Sequence, residues 1–176
     1  MGSDLAALLA RITLLAFSAS VPLYVITSTL ARLPTLGVPV SGVLPSALRD
    51  SFAEPREGAR SHGAIDIEAP EGTAVVAASG GIVRRISASS LGGKGVYLID
   101  RGRGLCHYYG HLSRYAPGLE KGQFASRGEV LGFVGSTGNA SSEAPHLHFA
   151  VFPLLSDGSC GRDEPLNPYP LLTDVR

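Results

Sequence analysis

From about Leu48 onward the chain alternates short apolar runs with glycine, a rhythm that predicts strands. Brief strands are expected over 63–67, 73–77, 81–87, 95–100, 105–109, 130–134 and 148–152. Ser79-Gly80-Gly81 reads as a hairpin turn between the second and third of these, and Arg101-Gly102-Arg103-Gly104 as one between the fourth and fifth. No window of twelve residues in this region carries a helical period. Strands joined by such short turns pair antiparallel, because a parallel partner needs a long crossover. The pattern therefore predicts a mainly β, antiparallel domain.

The start of the chain is patterned differently. Ile12 to Ala31 is a run of 20 residues without a charge, flanked by Arg11 and Arg32. That is the length a helix needs to cross a bilayer, although six Ser or Thr and Pro22 make it a poor span. Thr29-Leu30-Ala31 offers the small residues of a signal-peptidase site. Residues 1–31 thus read as a hydrophobic helix that is either a membrane anchor or a signal peptide, with a buried core helix as the other alternative. Both membrane readings carry the remainder out of the cytoplasm. Residues 32–47, with Pro34, Pro39 and Pro45, read as an extended linker. The folded domain is then expected over 48–172, with 173–176 as a tail.

Composition narrows the partners. A chain of 176 residues with 44% hydrophobic content can bury one core of ordinary size. Its 15 basic and 15 acidic side chains cancel, and no basic run is present, which argues against a nucleic-acid partner. The 22 glycines and 12 prolines suit a domain made of many turns. Cys106 and Cys160 lack CxxC spacing, so a cysteine metal site is disfavoured. They permit one disulfide in an exported domain, with two free thiols as the alternative.

The candidate chemistry lies in four of the five histidines and one aspartate. His62 and Asp66 fall in Arg60-Ser61-His62-Gly63-Ala64-Ile65-Asp66, His111 in Tyr108-Tyr109-Gly110-His111-Leu112, and His146 and His148 in Pro145-His146-Leu147-His148-Phe149. Imidazole and carboxylate are the ligands a catalytic zinc takes when it keeps one position for water. Each pair is an even number of residues apart, so on regular strands its members would project from one face. His107 has no such partner and reads as scaffold.

These three stretches, in this order, resemble the motifs of the lysostaphin/LytM-type zinc metallopeptidases, which cut peptide bonds in peptidoglycan. The resemblance spans roughly residues 42–172. It includes Ala69-Pro70-Glu71-Gly72-Thr73, Gly128-Glu129-Val130-Leu131-Gly132, Gly135-Ser136-Thr137-Gly138-Asn139 and Asn167-Pro168-Tyr169-Pro170. Phe52-Ala53 departs from the Phe-Gly usual before the first motif. The resemblance implies a compact β domain whose groove holds one Zn2+, ligated by His62, Asp66 and His148. It implies His111 and His146 as the catalytic pair, dividing proton transfer and oxyanion stabilisation in an order left open. Tyr109 and Arg60 are further candidates for substrate contact or for orienting a ligand, with packing and surface charge as their alternatives. The implied function is a zinc endopeptidase acting on peptidoglycan peptides; with residues 12–31 as either anchor or signal peptide, it would act outside the cytoplasmic membrane, membrane-anchored or secreted. The alternatives are a wall-binding module, a non-catalytic activator of another murein hydrolase, and a zinc hydrolase of another exported peptide.

Overall fold

The computed structural model describes residues 36–173 apart from Glu57 and Ala59. The chain divides into Met1–Arg32 and Leu33–Arg176. The hydrophobic segment 12–31 and the tail from 174 lie outside the described residues. Among the described residues, no helix is long and apolar enough to cross a membrane.

The domain is antiparallel β throughout. Its strands are β1 (Pro55–Arg56), β2 (Arg60–Ser61), β3 (Ile65–Glu68), β4 (Ala74–Val76), β5 (Gly81–Ser89), β6 (Gly93–Asp100), β7 (Leu105–Leu112), β8 (Arg114–Tyr115), β9 (Phe124–Ala125), β10 (Val130–Phe133) and β11 (His146–Pro153). Six of them form the main sheet, in the order β3-β11-β7-β6-β5-β9, and β4-β10-β8 form a smaller one. β1 and β2 make a separate ribbon.

The core lies on one face of the main sheet and follows from strand alternation. Along β11, Leu147, Phe149 and Val151 are buried while His146 and His148 look the other way. Leu147, Phe149 and Val151 join Tyr109, Val96, Leu98 and Val83 of neighbouring strands, and Val75 and Leu131 of the small sheet, in one apolar cluster. The opposite face of the main sheet is left to carry the site.

Two expectations are corrected. Ser79-Gly80-Gly81 is not a hairpin turn, because β4 pairs with β10 in the small sheet and β5 with β6 in the large one. The chain crosses between sheets here, and its buried polar groups find partners without a hairpin. The Ala78 N–H donates to the Tyr109 hydroxyl at 3.0 Å, and the Ser79 hydroxyl donates to Asp100 Oδ2 at 2.7 Å.

Second, the part of the linker that is described, 36–47, is integral to the domain, which therefore begins before 48. Leu36 and Val40 are core residues, and Val40 bridges Val75. The Leu36 and Gly37 N–H groups donate to the Leu171 and Ala78 carbonyls, and the Val76 N–H donates to Pro39 O at 2.9 Å. Proline has no N–H to give to a ladder, but its carbonyl still accepts at a sheet edge.

A short helix α1 (Pro168–Thr173) closes the domain and buries Leu171 and Leu172. Asn167 caps it by accepting the Tyr169 N–H at 2.9 Å, and Pro168 follows the cap, where its missing N–H costs nothing.

Candidate metal centre

Register brings the ligand candidates together. Asp66 on β3 lies opposite His148 on β11, whereas His146 lies opposite Glu68. His62 is not on the same strand as Asp66, contrary to the even-spacing expectation. The chain turns at Gly63, whose φ of 66° suits glycine, before β3 begins at Ile65. The buried Ser51 fixes both neighbours: its carbonyl accepts from His62 Nδ1 at 3.0 Å, and its hydroxyl accepts the Asp66 N–H at 3.1 Å.

Three atoms then converge. His62 Nε2 is 3.0 Å from His148 Nδ1 and 3.1 Å from Asp66 Oδ1, and His148 Nδ1 is 3.2 Å from Asp66 Oδ1. Zinc–ligand bonds of about 2.0–2.1 Å in a tetrahedron set ligand atoms about 3.3 Å apart, so this triangle fits the ion. The donor chemistry fits as well. A carbonyl can only accept, so His62 carries its proton on Nδ1 and presents a bare Nε2 lone pair to the other two atoms.

His111 and His146 stand beside the triangle in the same tautomer. His111 Nδ1 donates to Thr137 O at 2.7 Å, and His146 Nδ1 donates to Ala144 O at 2.9 Å. In the neutral tautomer each ring therefore leaves Nε2 as its free nitrogen. The two rings are 5.0 Å apart, and His111 is 5.6 Å from the His148 ring. His146 Nε2 lies 3.7 Å from Asp66 Oδ1.

His111 reaches this face through a bulge. Along β7, His107 and Tyr109 point into the core, and strict alternation would send His111 after them. Between Lys94 and Val96 the partner strand advances two residues while β7 advances three, from Leu112 to Tyr109. His111 absorbs the extra residue with φ 59°, the one positive φ outside glycine among the described residues, and swings to the site.

The electrostatics suit neutral imidazoles around an anion. Burial pushes the Asp66 carboxyl up, but hydrogen bonds with His148 and His62 and their charges hold it well below the usual carboxylate range. Burial lowers His148, against the pull of Asp66. Burial also brings His111 down to about 4, so its ring is neutral at neutral pH.

The family model of peptidase family M23 matches residues 60–168. The chain belongs to peptidase family M23. It is 34% identical over 121 residues to the L-Ala--D-Glu endopeptidase of Bacillus subtilis, an alignment covering 65% of this chain and 35% of that protein. It is 41% identical over 96 residues to the DD-carboxypeptidase/endopeptidase Mpg of Neisseria meningitidis, covering 51% and 20%. The chain thus spans about a third and a fifth of these relatives. The catalytic domain of the antimicrobial peptidase lysostaphin from Staphylococcus simulans superposes with a TM-score of 0.63 at 27% identity, over 74% of this chain and 96% of that one.

Within this M23 domain, Tyr109 is not at the site. It is fully buried on the core face against Phe149, and its hydroxyl is engaged by Ala78. Its neighbour Tyr108 is the tyrosine on the site face, edge-on to His148 with ring centroids 6.1 Å apart. Burial raises its phenol to about 12, so it is neutral. The close approach of its ring is why Gly95 and Gly110 carry no side chain: a Cβ there would stand 2.7 and 3.0 Å from it. Alternation from the buried Leu105 was the signal available for choosing Tyr108 over Tyr109.

The Arg60 backbone pairs with Arg56, and its side chain lies outside what is described. Arg56, which no motif singled out, donates from Nη2 to Asp66 Oδ2 at 2.5 Å. Cys106 and Cys160 form a disulfide. His107 lies wholly in the core between the Tyr109 and Phe149 rings.

Proposed function

We propose that this chain is a zinc metalloendopeptidase that hydrolyses stem peptides or peptide cross-links of peptidoglycan. The observation that carries the reading is the triangle of His62 Nε2, Asp66 Oδ1 and His148 Nδ1, flanked by two histidines with free Nε2 atoms. Membership of peptidase family M23 supports peptide hydrolysis. The names of the two relatives, an L-Ala--D-Glu endopeptidase and a DD-carboxypeptidase/endopeptidase, support a peptidoglycan substrate.

His62, Asp66 and His148 would hold one Zn2+, which supplies a water of pKa about 7 and a Lewis acid for the scissile carbonyl. His111 and His146 divide the remaining work. One Nε2 accepts the proton of the attacking water, and the other ring, once its own Nε2 carries a proton, donates it as a hydrogen bond to the charge growing on the carbonyl oxygen. Their Nδ1 protons are committed to Thr137 and Ala144, so neither ring can turn its bare nitrogen away without breaking a hydrogen bond.

The reaction belongs outside the cytoplasmic membrane, since a disulfide persists in oxidising compartments and residues 12–31 have the composition of an anchor or an export signal. The deciding experiment incubates the zinc-loaded full-length chain with sacculi and identifies released fragments by mass. New peptide termini at one bond type support the reading and name the bond. No release from any murein preparation overturns it in favour of a non-catalytic wall-binding or activating role.

A further inference from the structure

The outward face of the main sheet forms a floor that continues past the metal ligands. β11, β7, β6 and β5 lie side by side, and His148, Tyr108, Tyr97 and Arg85 stand on their outward face. The Tyr97 ring is 4.5 Å from that of Tyr108, and the Arg85 guanidinium carbon is 6.0 Å from the Tyr97 centroid. Beyond Tyr97 the floor opens into a cavity of about 560 Å³ lined by Arg84, Arg85, Lys121 and Arg162.

Two features of the fold assemble this cationic pocket. The β5–β6 register slips between Val83, opposite Leu98, and Arg85, opposite Tyr97. Arg84 is the extra residue of that bulge, so both arginines reach the outer side while Val83 stays in the core. Arg162 arrives on the loop after β11, which the Cys106–Cys160 disulfide fastens back onto β7. No carboxylate among the described residues lines the pocket. Among the described residues, none of the four cations forms an ion pair with an acidic group. Four uncompensated charges of one sign in a concavity focus their field on an incoming anion.

We propose that this pocket is an anion subsite of the groove, taking a carboxylate carried by the peptide substrate. The proposal rests on the endopeptidase reading above and adds a specificity to it. From β11 to β5 is three strand spacings, about 14 Å. An extended peptide covers that distance in roughly four residues. A carboxylate placed that far from the scissile bond reaches the arginines while the intervening residues lie on Tyr108 and Tyr97. The forked guanidinium groups of Arg84, Arg85 and Arg162 match a carboxylate in bidentate geometry.

The test is equilibrium binding to the full-length chain in detergent, read by fluorescence anisotropy at low salt. The probes are labelled muropeptides with native carboxylates and the same muropeptides amidated with carbodiimide. The native form is expected to bind about tenfold more tightly, the scale of charge-assisted hydrogen bonds. The double substitution Arg84→Ala/Arg85→Ala, on exposed side chains, erases that difference without changing zinc content, and Arg162→Gln reduces it. Equal binding of both probes, or an equal loss on both in the variants, overturns the subsite. Polyphosphate binding that needs Arg84 and Arg85 while muropeptides bind regardless of amidation overturns it in favour of a phosphate polymer. Cleavage is scored separately by mass. Carboxylate-dependent binding without cleavage sinks the endopeptidase reading and leaves the subsite standing.

Discussion

His148 and Asp66 face each other across the β3–β11 ladder, and their side chains meet at 3.2 Å, Nδ1 to Oδ1. This cross-strand pair, closed by His62 from the preceding turn, gives the domain a rigid three-atom seat for a metal ion. We predict that His148→Ala and Asp66→Asn each reduce bound zinc from one ion per chain to near none. Elemental analysis after dialysis checks this, and retention of stoichiometric zinc by either variant would assign the metal elsewhere.

Arg56 acts on the seat through Asp66. Its Nη2 donates to Oδ2, which turns Oδ1 toward His62 and His148. We predict that Arg56→Ala weakens zinc affinity about 10- to 100-fold, the usual cost of losing a hydrogen bond that orients a metal ligand. Competition with a chromophoric chelator measures it. An unchanged affinity would make the Arg56 contact incidental.

His111 should separate binding from turnover. Its ring stands beside the triangle and contributes no atom to it. We predict that His111→Ala keeps full zinc and lowers kcat about 10²- to 10⁴-fold, the range for a proton-transfer group. Both residues carry a Cβ and pay a backbone cost at φ 59°, so thermal unfolding of the variant is recorded beside its kcat. Loss of zinc in the variant, or undiminished kcat, would refute the division of labour.

How much of this was legible in the sequence depended on whether periodicity was local. Strands β6 and β7 are readable because a glycine turn joins two apolar runs in one short stretch, and β11 because an apolar run follows the break at Pro145. The partner of β4 is not, since it lies more than fifty residues away in β10 and no local signal distinguishes that pairing from a hairpin with β5. The metal candidates came from residue type and motif order, and the ladder brings His148 and Asp66 together. Alternation taken strictly would have buried His111. Only the bulge opposite Lys94 and Val96, which follows from tertiary register, turns it outward. Arg56 and Ser51 escaped notice for a related reason: each acts through a distance set by folding, with no spacing of its own.

His107 offers a test of the core that is independent of the metal. Both ring nitrogens are buried without a hydrogen-bond partner among the described residues, and burial lowers its pKa to about 4, with nearby Asp100 opposing and Arg103 assisting. Above pH 6.5 the ring is neutral in the folded and unfolded chain alike, and it contributes nothing to the pH dependence. Below 6.5 the unfolded chain takes up a proton that the folded one refuses until about pH 4. Stability therefore falls across that window, by on the order of 3 kcal/mol from this residue. We predict that His107→Leu is neutral or stabilising at pH 7, because it replaces an unsatisfied polar ring with an apolar side chain. Between pH 6.5 and 4 its advantage over the parent should widen. Urea unfolding of both proteins at matched zinc across this range gives the comparison, and all other titrating groups cancel in the difference. Parallel curves would mean that the buried ring accepts its proton as readily in the folded state as in water.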